Sequence, residues 1–252
     1  MLEVASWRSR ARVTLPGAIQ IDPCYVEAGN NRREYYPRYR SADDARLLPL
    51  VERREALRQL GIRADSRVLV TGTGPNFPVN AARVAWALLG AGLPQLYWLD
   101  GGSSEWRGRL CAPATPRPAE CFGQAEPWTQ ADRVPEPGDL VADIRTRAEF
   151  EGRQCHRYPF FESRGHLPGA LWLRNWTHLV QPGTLRLKPP EQIAREWEQL
   201  GLHRAKPITF CCGTGWRSSL AACLALASGY SRVSNYDGGV YHWVSQGGWL
   251  EA

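Results

Sequence analysis

Pro207-Ile208-Thr209-Phe210-Cys211-Cys212-Gly213-Thr214-Gly215-Trp216-Arg217-Ser218 runs from a short apolar stretch, through a turn with two glycines, into a segment that reads as helical from Ser218 to Ser228. Gly229 stops that helix, and Arg232-Val233-Ser234-Asn235-Tyr236 reads as the next strand. Upstream, Asp139-Leu140-Val141-Ala142-Asp143-Ile144-Arg145 reads as an opening strand. Strand–helix–strand units of this kind predict an α/β fold, with a parallel sheet and helices on its faces.

The pattern occurs twice. Leu167-Pro168-Gly169-Ala170, Cys212-Gly213-Thr214-Gly215 and Asp237-Gly238-Gly239 follow one another in the second half. Leu15-Pro16-Gly17-Ala18, Thr71-Gly72-Thr73-Gly74 and Asp100-Gly101-Gly102 follow in the same order in the first. Around the earlier turn, Arg67 to Val70 reads as a strand, Val79 to Gly90 as a helix and Gln95 to Leu99 as a second strand. Two copies of one domain are therefore predicted. The first copy lacks a clear opening strand before Leu15, so that strand is missing or short, and the chain start is truncated or the domain eroded. String alignment of the two turns places Thr71 at the Cys212 position. A threonine hydroxyl does not supply a thiolate, so one copy is expected to be reactive and the other not.

At the junction of a strand and a helix, loop and first-turn N–H groups converge and favour an anion. A cysteine there has its thiolate stabilised by those donors and becomes a nucleophile toward sulfur, phosphorus or arsenic oxyanions. Two registers are open. Counted from Cys211, Arg217 stands in a Cys-x5-Arg spacing, that of a phosphatase or arsenate reductase. Counted from Cys212, the spacing is Cys-x4-Arg, with a glycine three residues on. Buried, inert cysteines are the structural alternative. In the first half, Gly72-x-Gly74 with Asp100 beyond it resembles a dinucleotide-binding turn, but the third glycine is absent and Pro75 interrupts the helix start.

The loop Cys212 to Ser218 resembles the active-site loop of the rhodanese family. The companions Val141-Ala142-Asp143-Ile144-Arg145, Glu149-Phe150-Glu151-Gly152, Arg164-Gly165-His166-Leu167-Pro168-Gly169-Ala170 and Tyr236-Asp237-Gly238-Gly239-Val240 resemble the family's other landmarks, in its order. The resemblance covers about residues 139–249 and extends more weakly to the first half. It implies two rhodanese-like domains, as in tandem thiosulfate and 3-mercaptopyruvate sulfurtransferases. It also implies Cys212 as the nucleophile that becomes a persulfide, with no cofactor and no metal. Gly213, Thr214, Gly215, Trp216, Arg217 and Ser218 would then bind the substrate. Trp216 shapes the pocket mouth, and Arg217 contacts an anionic donor or pairs with an acidic neighbour. Asp143 and Arg145 support the loop as an ion pair, and His166 braces the domain. The partners implied are a small anionic sulfur donor and a thiol or cyanide acceptor, a protein thiol included. A non-catalytic interaction module of the same fold is the remaining alternative.

Composition sets the outer bounds. At 252 residues, 43% hydrophobic and 22% charged, the chain has room for two domains and is not disordered as a whole. Net charge is +6, yet no dense basic run carries interleaved aromatics, so nucleic acid is not an expected partner. No apolar run approaches the ~18–20 residues of a membrane span. The start shows no signal-peptide pattern, and with seven cysteines but no Cys-x2-Cys pair the expected location is a reducing cytoplasm. The linear division expected is 1–104 for the cysteine-lacking domain, 105–137 for a proline-rich linker and 138–252 for the catalytic domain.

Overall fold

Leu2–Val4 forms a three-residue strand (β1) at the centre of a parallel sheet, although sequence patterning left this strand missing or short. It escapes notice because it is brief and carries a buried glutamate, Glu3, between its two apolar residues. Glu3 accepts a hydrogen bond from Gln20 Nε2 at 2.6 Å and another from Ser103 Oγ, which makes its burial tolerable. The computed structural model describes residues 1–5, 13–29, 41–128, 133–136, 138–155 and 164–252.

The elements follow in chain order. After β1 come β2 (Ile19–Ile21), α1 (Leu50–Gln59), β3 (Arg67–Gly72), α2 (Phe77–Ala91) and β4 (Gln95–Trp98). The second half supplies β5 (Leu140–Asp143), α3 (Arg147–Phe150), β6 (Leu171–Trp172), α4 (Pro190–Gln199), β7 (Ile208–Cys211), α5 (Trp216–Ala227), β8 (Val233–Asn235) and α6 (Gly239–Ser245). The sheets have strand orders β2-β1-β3-β4 and β6-β5-β7-β8, every pair parallel. The same order in both sheets is the structural counterpart of the repeated landmarks. All four residues of β7 are buried, as expected of a central strand in a parallel sheet covered on both faces.

Spatial grouping gives two units whose membership crosses the linear divisions. Unit 1 holds 1–37, 47–129 and 182–187; unit 2 holds 38–46, 130–181 and 188–252. The proline-rich stretch lies along unit 1 for most of its length. Cys111 bridges Thr14, the Ala119 N–H donates to Arg58 O, and Phe122 is part of that unit's core. That core also contains Leu57, Val70, Phe77, Val84 and Leu88, which join α1 and α2 to the sheet.

In unit 2, Trp197 of α4 packs on Phe210 of β7 and edge-on to Tyr230. On the other side Val141, Leu167, Cys211, Tyr236 and Val240 form a buried cluster. Among the described residues, no helix is long and apolar enough to cross a membrane.

Candidate active site

β7 ends at Cys211 and α5 begins at Trp216, so Cys212 to Gly215 form the connection between them. Gly215 caps α5 with φ of +86°, a conformation open to glycine and strained for other residues. Its carbonyl accepts from Ser219 N at 3.1 Å, Ser219 Oγ at 2.7 Å and Asn235 Nδ2 at 3.0 Å. The start of α6 pins the other end of the loop. Val240 N donates to Cys212 O at 2.9 Å and Tyr241 N to Gly213 O at 3.1 Å. Gly239 must be glycine, because a Cβ there would overlap the Cys212 carbonyl. The carbonyls are thus tied outward. Among the described residues, the N–H groups of Gly213, Thr214 and Gly215 have no protein acceptor, leaving three adjacent donors on the loop beside the helix N-terminus.

Cys212 is 1% exposed, and Ser218 Oγ donates to its sulfur at 3.3 Å. The Cys211 side chain instead belongs to the apolar cluster with Val141, Tyr236 and Val240. Burial, reinforced by the Asp143 carboxylate, pushes the Cys211 thiol well above its ordinary range. A thiol kept neutral in a core is a poor nucleophile. Cys211 and Cys212 are not joined to each other.

Arg217 does not reach outward as an unpaired cation. Its Nη1 and Nη2 donate to Glu149 Oε2 and Oε1, each at 2.8 Å. Glu149 is itself held in a capping box at the start of α3: Thr146 N and Oγ1 donate to its Oε2 at 3.0 and 2.8 Å, and Glu149 N donates to Thr146 Oγ1 at 3.2 Å. Burial works against this charge, but the Arg217 guanidinium and the Thr146 donors outweigh it and hold the Glu149 carboxyl at about 2. No role for Glu149 follows from its local pattern beyond Thr-x-x-Glu as a helix start; its partner lies 68 residues away.

The sign of the resulting pH dependence is fixed. The folded-state value lies below the ordinary 4.5, so the pair contributes fully above pH ~4.5 and its contribution is lost as pH falls toward 2. The amount is about 3 kcal/mol at full development. Urea unfolding of wild type and Glu149→Gln should therefore differ most at neutral pH and converge toward pH 2. A gap that stays constant across that range would contradict the pairing.

Asp143 and Arg145 form the expected buried ion pair. Asp143 Oδ2 accepts from Arg145 Nη2 at 2.7 Å and Nε at 2.9 Å, Oδ1 accepts the Arg145 N–H at 2.9 Å, and Arg145 Nη2 also donates to Gly165 O at 2.8 Å. His166 stacks on Phe150 with centroids 3.7 Å apart, and its Nδ1 lies 2.9 Å from Phe150 O, so it braces the end of α3. Trp216 is half-buried in the first turn of α5.

Pairing in the two sheets corrects the string alignment of the repeats. Val70 is opposite Trp98 and Leu2, as Phe210 is opposite Asn235 and Ala142. Val70 thus matches Phe210, Thr71 matches Cys211, and Gly72, not Thr71, stands at the Cys212 position. The first loop is one residue longer before its helix, which shifted the Thr-Gly-Thr-Gly string out of register. A Cβ on Gly72 would lie 2.6 Å from Val4 O and 2.7 Å from the Phe77 ring. Phe77 is fully buried. In unit 1 the thiol is missing and an aromatic ring stands where one would project.

A family model described as "Rhodanese-like domain" matches residues 129–246. The "Thiosulfate sulfurtransferase YnjE" of Escherichia coli (strain K12) is 30% identical over 92% of this chain and 54% of its own length. A Mycobacterium leprae (strain TN) protein provisionally named a thiosulfate sulfurtransferase is 31% identical over 71% of this chain and 68% of its own. Among solved structures, an anaerobic ergothioneine biosynthesis enzyme from Chlorobium limicola, in complex with trimethyl histidine, superposes with a TM-score of 0.80 at 22% identity, over 97% of this chain and 62% of that one. At that identity the likeness is one of fold. The chain spans just over half the length of the Escherichia coli relative.

Proposed function

Because the chain belongs to the rhodanese sulfurtransferase family, we propose that it transfers a sulfane sulfur through a persulfide on Cys212. The donor is thiosulfate or 3-mercaptopyruvate, and the acceptor is cyanide or a thiol, protein thiols included. With thiosulfate, the Cys212 thiolate attacks the outer sulfur. The S–S bond of the donor breaks, its electron pair leaves on sulfite, and Cys212 is left carrying an anionic terminal sulfur. Cyanide then takes that sulfur as thiocyanate and returns the thiolate. No proton has to be moved, which suits a site whose nearest hydroxyl, Ser218, donates to the sulfur rather than accepting from it. The two half-reactions predict ping-pong kinetics.

One observation carries this reading: a buried cysteine at the end of a central strand, followed by three loop N–H groups that no described residue accepts. Such donors stabilise an anionic sulfur before and after transfer, without reorganising at the moment of reaction. Seven cysteines, an odd number with no Cys-x2-Cys pair, suit a compartment where thiols stay reduced, and the cytoplasm is the location we assign.

The test is incubation of the purified protein with thiosulfate, then with 3-mercaptopyruvate, followed by intact mass and peptide mapping. A gain of about 32 Da, one sulfur atom, on the peptide bearing Cys212 is expected, with sulfite or pyruvate released and thiocyanate formed when cyanide is added. Absence of the mass gain with both donors would return the chain to a non-catalytic interaction module.

A further inference from the structure

Among the described residues of unit 2, the arginines around the Cys212 loop are matched by carboxylates. Arg145 is bound twice over by Asp143, Arg217 is bound in a fork by Glu149, and Arg46, against Gly238, has Asp43 at 3.8 Å. Arg217 is nearest to the loop: a Cβ built on Gly213 would lie 3.4 Å from its Nη2. Its charge faces the loop at short range, and the Glu149 carboxylate, bound to both terminal nitrogens, cancels it. Among the described residues, the remaining attraction for an anion comes from the uncharged loop N–H groups and the α5 N-terminus, worth roughly half a unit charge.

We propose that Glu149 sets the charge class of the sulfur donor: by neutralising Arg217 it makes the Cys212 loop select a monoanionic donor over a dianionic one. The inference rests on the sulfurtransferase reading and narrows it. Thiosulfate brings two negative charges to a thiolate; 3-mercaptopyruvate brings one, on its carboxylate. With the latter donor the C–S bond breaks, the sulfur joins Cys212, and the thiol proton ends on the carbon of the pyruvate released. A loop with one uncancelled guanidinium would favour the dianion, and a loop whose guanidinium is cancelled does not. Glu149 touches neither donor nor sulfur; it is a positioning residue that acts through Arg217.

Glu149→Gln keeps the side-chain shape and a capping-box residue type while removing the charge. The ratio of kcat/KM for thiosulfate to that for 3-mercaptopyruvate should rise about tenfold. That is the effect of one extra unit charge about 10 Å from one added donor charge, at an effective dielectric of about 20. Glu149→Gln combined with Arg217→Gln should return the ratio to near the wild-type value. A merely structural role for Glu149 would lower both donors together and leave the ratio unmoved.

A readout independent of turnover separates this proposal from the reading beneath it. The alkylation rate of Cys212 by iodoacetate, an anion, is divided by that by iodoacetamide, which is neutral, with both followed on the Cys212 peptide. Glu149→Gln should raise this quotient about tenfold on the same charge argument. Arg217→Gln, which leaves the carboxylate uncancelled, should lower it and serves if Glu149→Gln does not fold. Unchanged quotients in the folded variants overturn the proposal even where sulfur transfer is intact. Shifted quotients in a protein that takes sulfur from neither donor uphold the charge assignment and overturn the sulfurtransferase reading alone.

Discussion

Replacing Cys212 by serine should cut sulfur transfer by at least about a thousandfold, the scale of removing an enzyme's nucleophile, while Cys211→Ser should leave the reaction running. The adjacent thiols differ only in where the strand ends. Cys211 is the last residue of β7, paired with Asp143 across the sheet, and its side chain is packed among Val141, Leu167, Tyr236 and Val240. Cys212 is the first residue past the strand, with a hydroxyl donor 3.3 Å from its sulfur. A serine at 212 cannot be sulfurated, because an alkoxide is inaccessible near neutral pH and an O–S adduct would not be passed on to cyanide. A serine at 211 places a hydroxyl in an apolar cluster and costs roughly 1–3 kcal/mol of stability, a loss visible in melting rather than in turnover at 25 °C. The measurement is thiocyanate formation by both variants and wild type, with circular dichroism to show that each is folded. Loss of activity in Cys211→Ser with retention in Cys212→Ser would restore the Cys-x5-Arg register and remove the persulfide from position 212.

The reactive loop was legible because its signal is local. A strand, two glycines and a helix lie within a dozen residues, and each residue type there answers a backbone need that sequence displays. The repeat was legible for the same reason: Leu-Pro-Gly-Ala and Asp-Gly-Gly mark turns that both copies require. Three features were hidden, each because it depends on contacts distant in sequence. The opening strand β1 has three residues, and the first glycine in the sequence after it is Gly17. The match of Gly72 to Cys212 emerges only from strand pairing, since the two loops differ by one residue and the eye aligns identical letters. The pairing of Arg217 with Glu149 joins the starts of two helices 68 residues apart, and charge type alone left a donor contact and an ion pair equally open for Arg217. The same limit applies to 38–46 and 182–187, short stretches that belong to the unit opposite to their neighbours in the chain. No composition shift marks them.

Asp143→Ala should destabilise the protein by about 3–5 kcal/mol, the cost of leaving one member of a buried ion pair uncompensated. Asp143 has no exposed surface and Arg145 is 5% exposed. Without the carboxylate, the Arg145 guanidinium retains the Gly165 carbonyl and loses both carboxylate oxygens. Combining Asp143→Ala with Arg145→Met removes the stranded charge and should recover a large part of the loss, since a buried pair as a whole contributes far less than either half costs when orphaned. Urea unfolding of the two single variants and the double variant measures this directly, and a double variant no better than Asp143→Ala would show that the charge is not the cause. The consequence for the chemistry follows from register. Asp143 lies opposite Cys211 on the neighbouring strand, and Ile144 N donates to Cys211 O at 3.1 Å, one residue before the nucleophile. A stranded guanidinium seeking water through this part of the sheet displaces the residue from which the Cys212 loop departs. Sulfur transfer should therefore fall in Asp143→Ala and return, in step with stability, in the double variant.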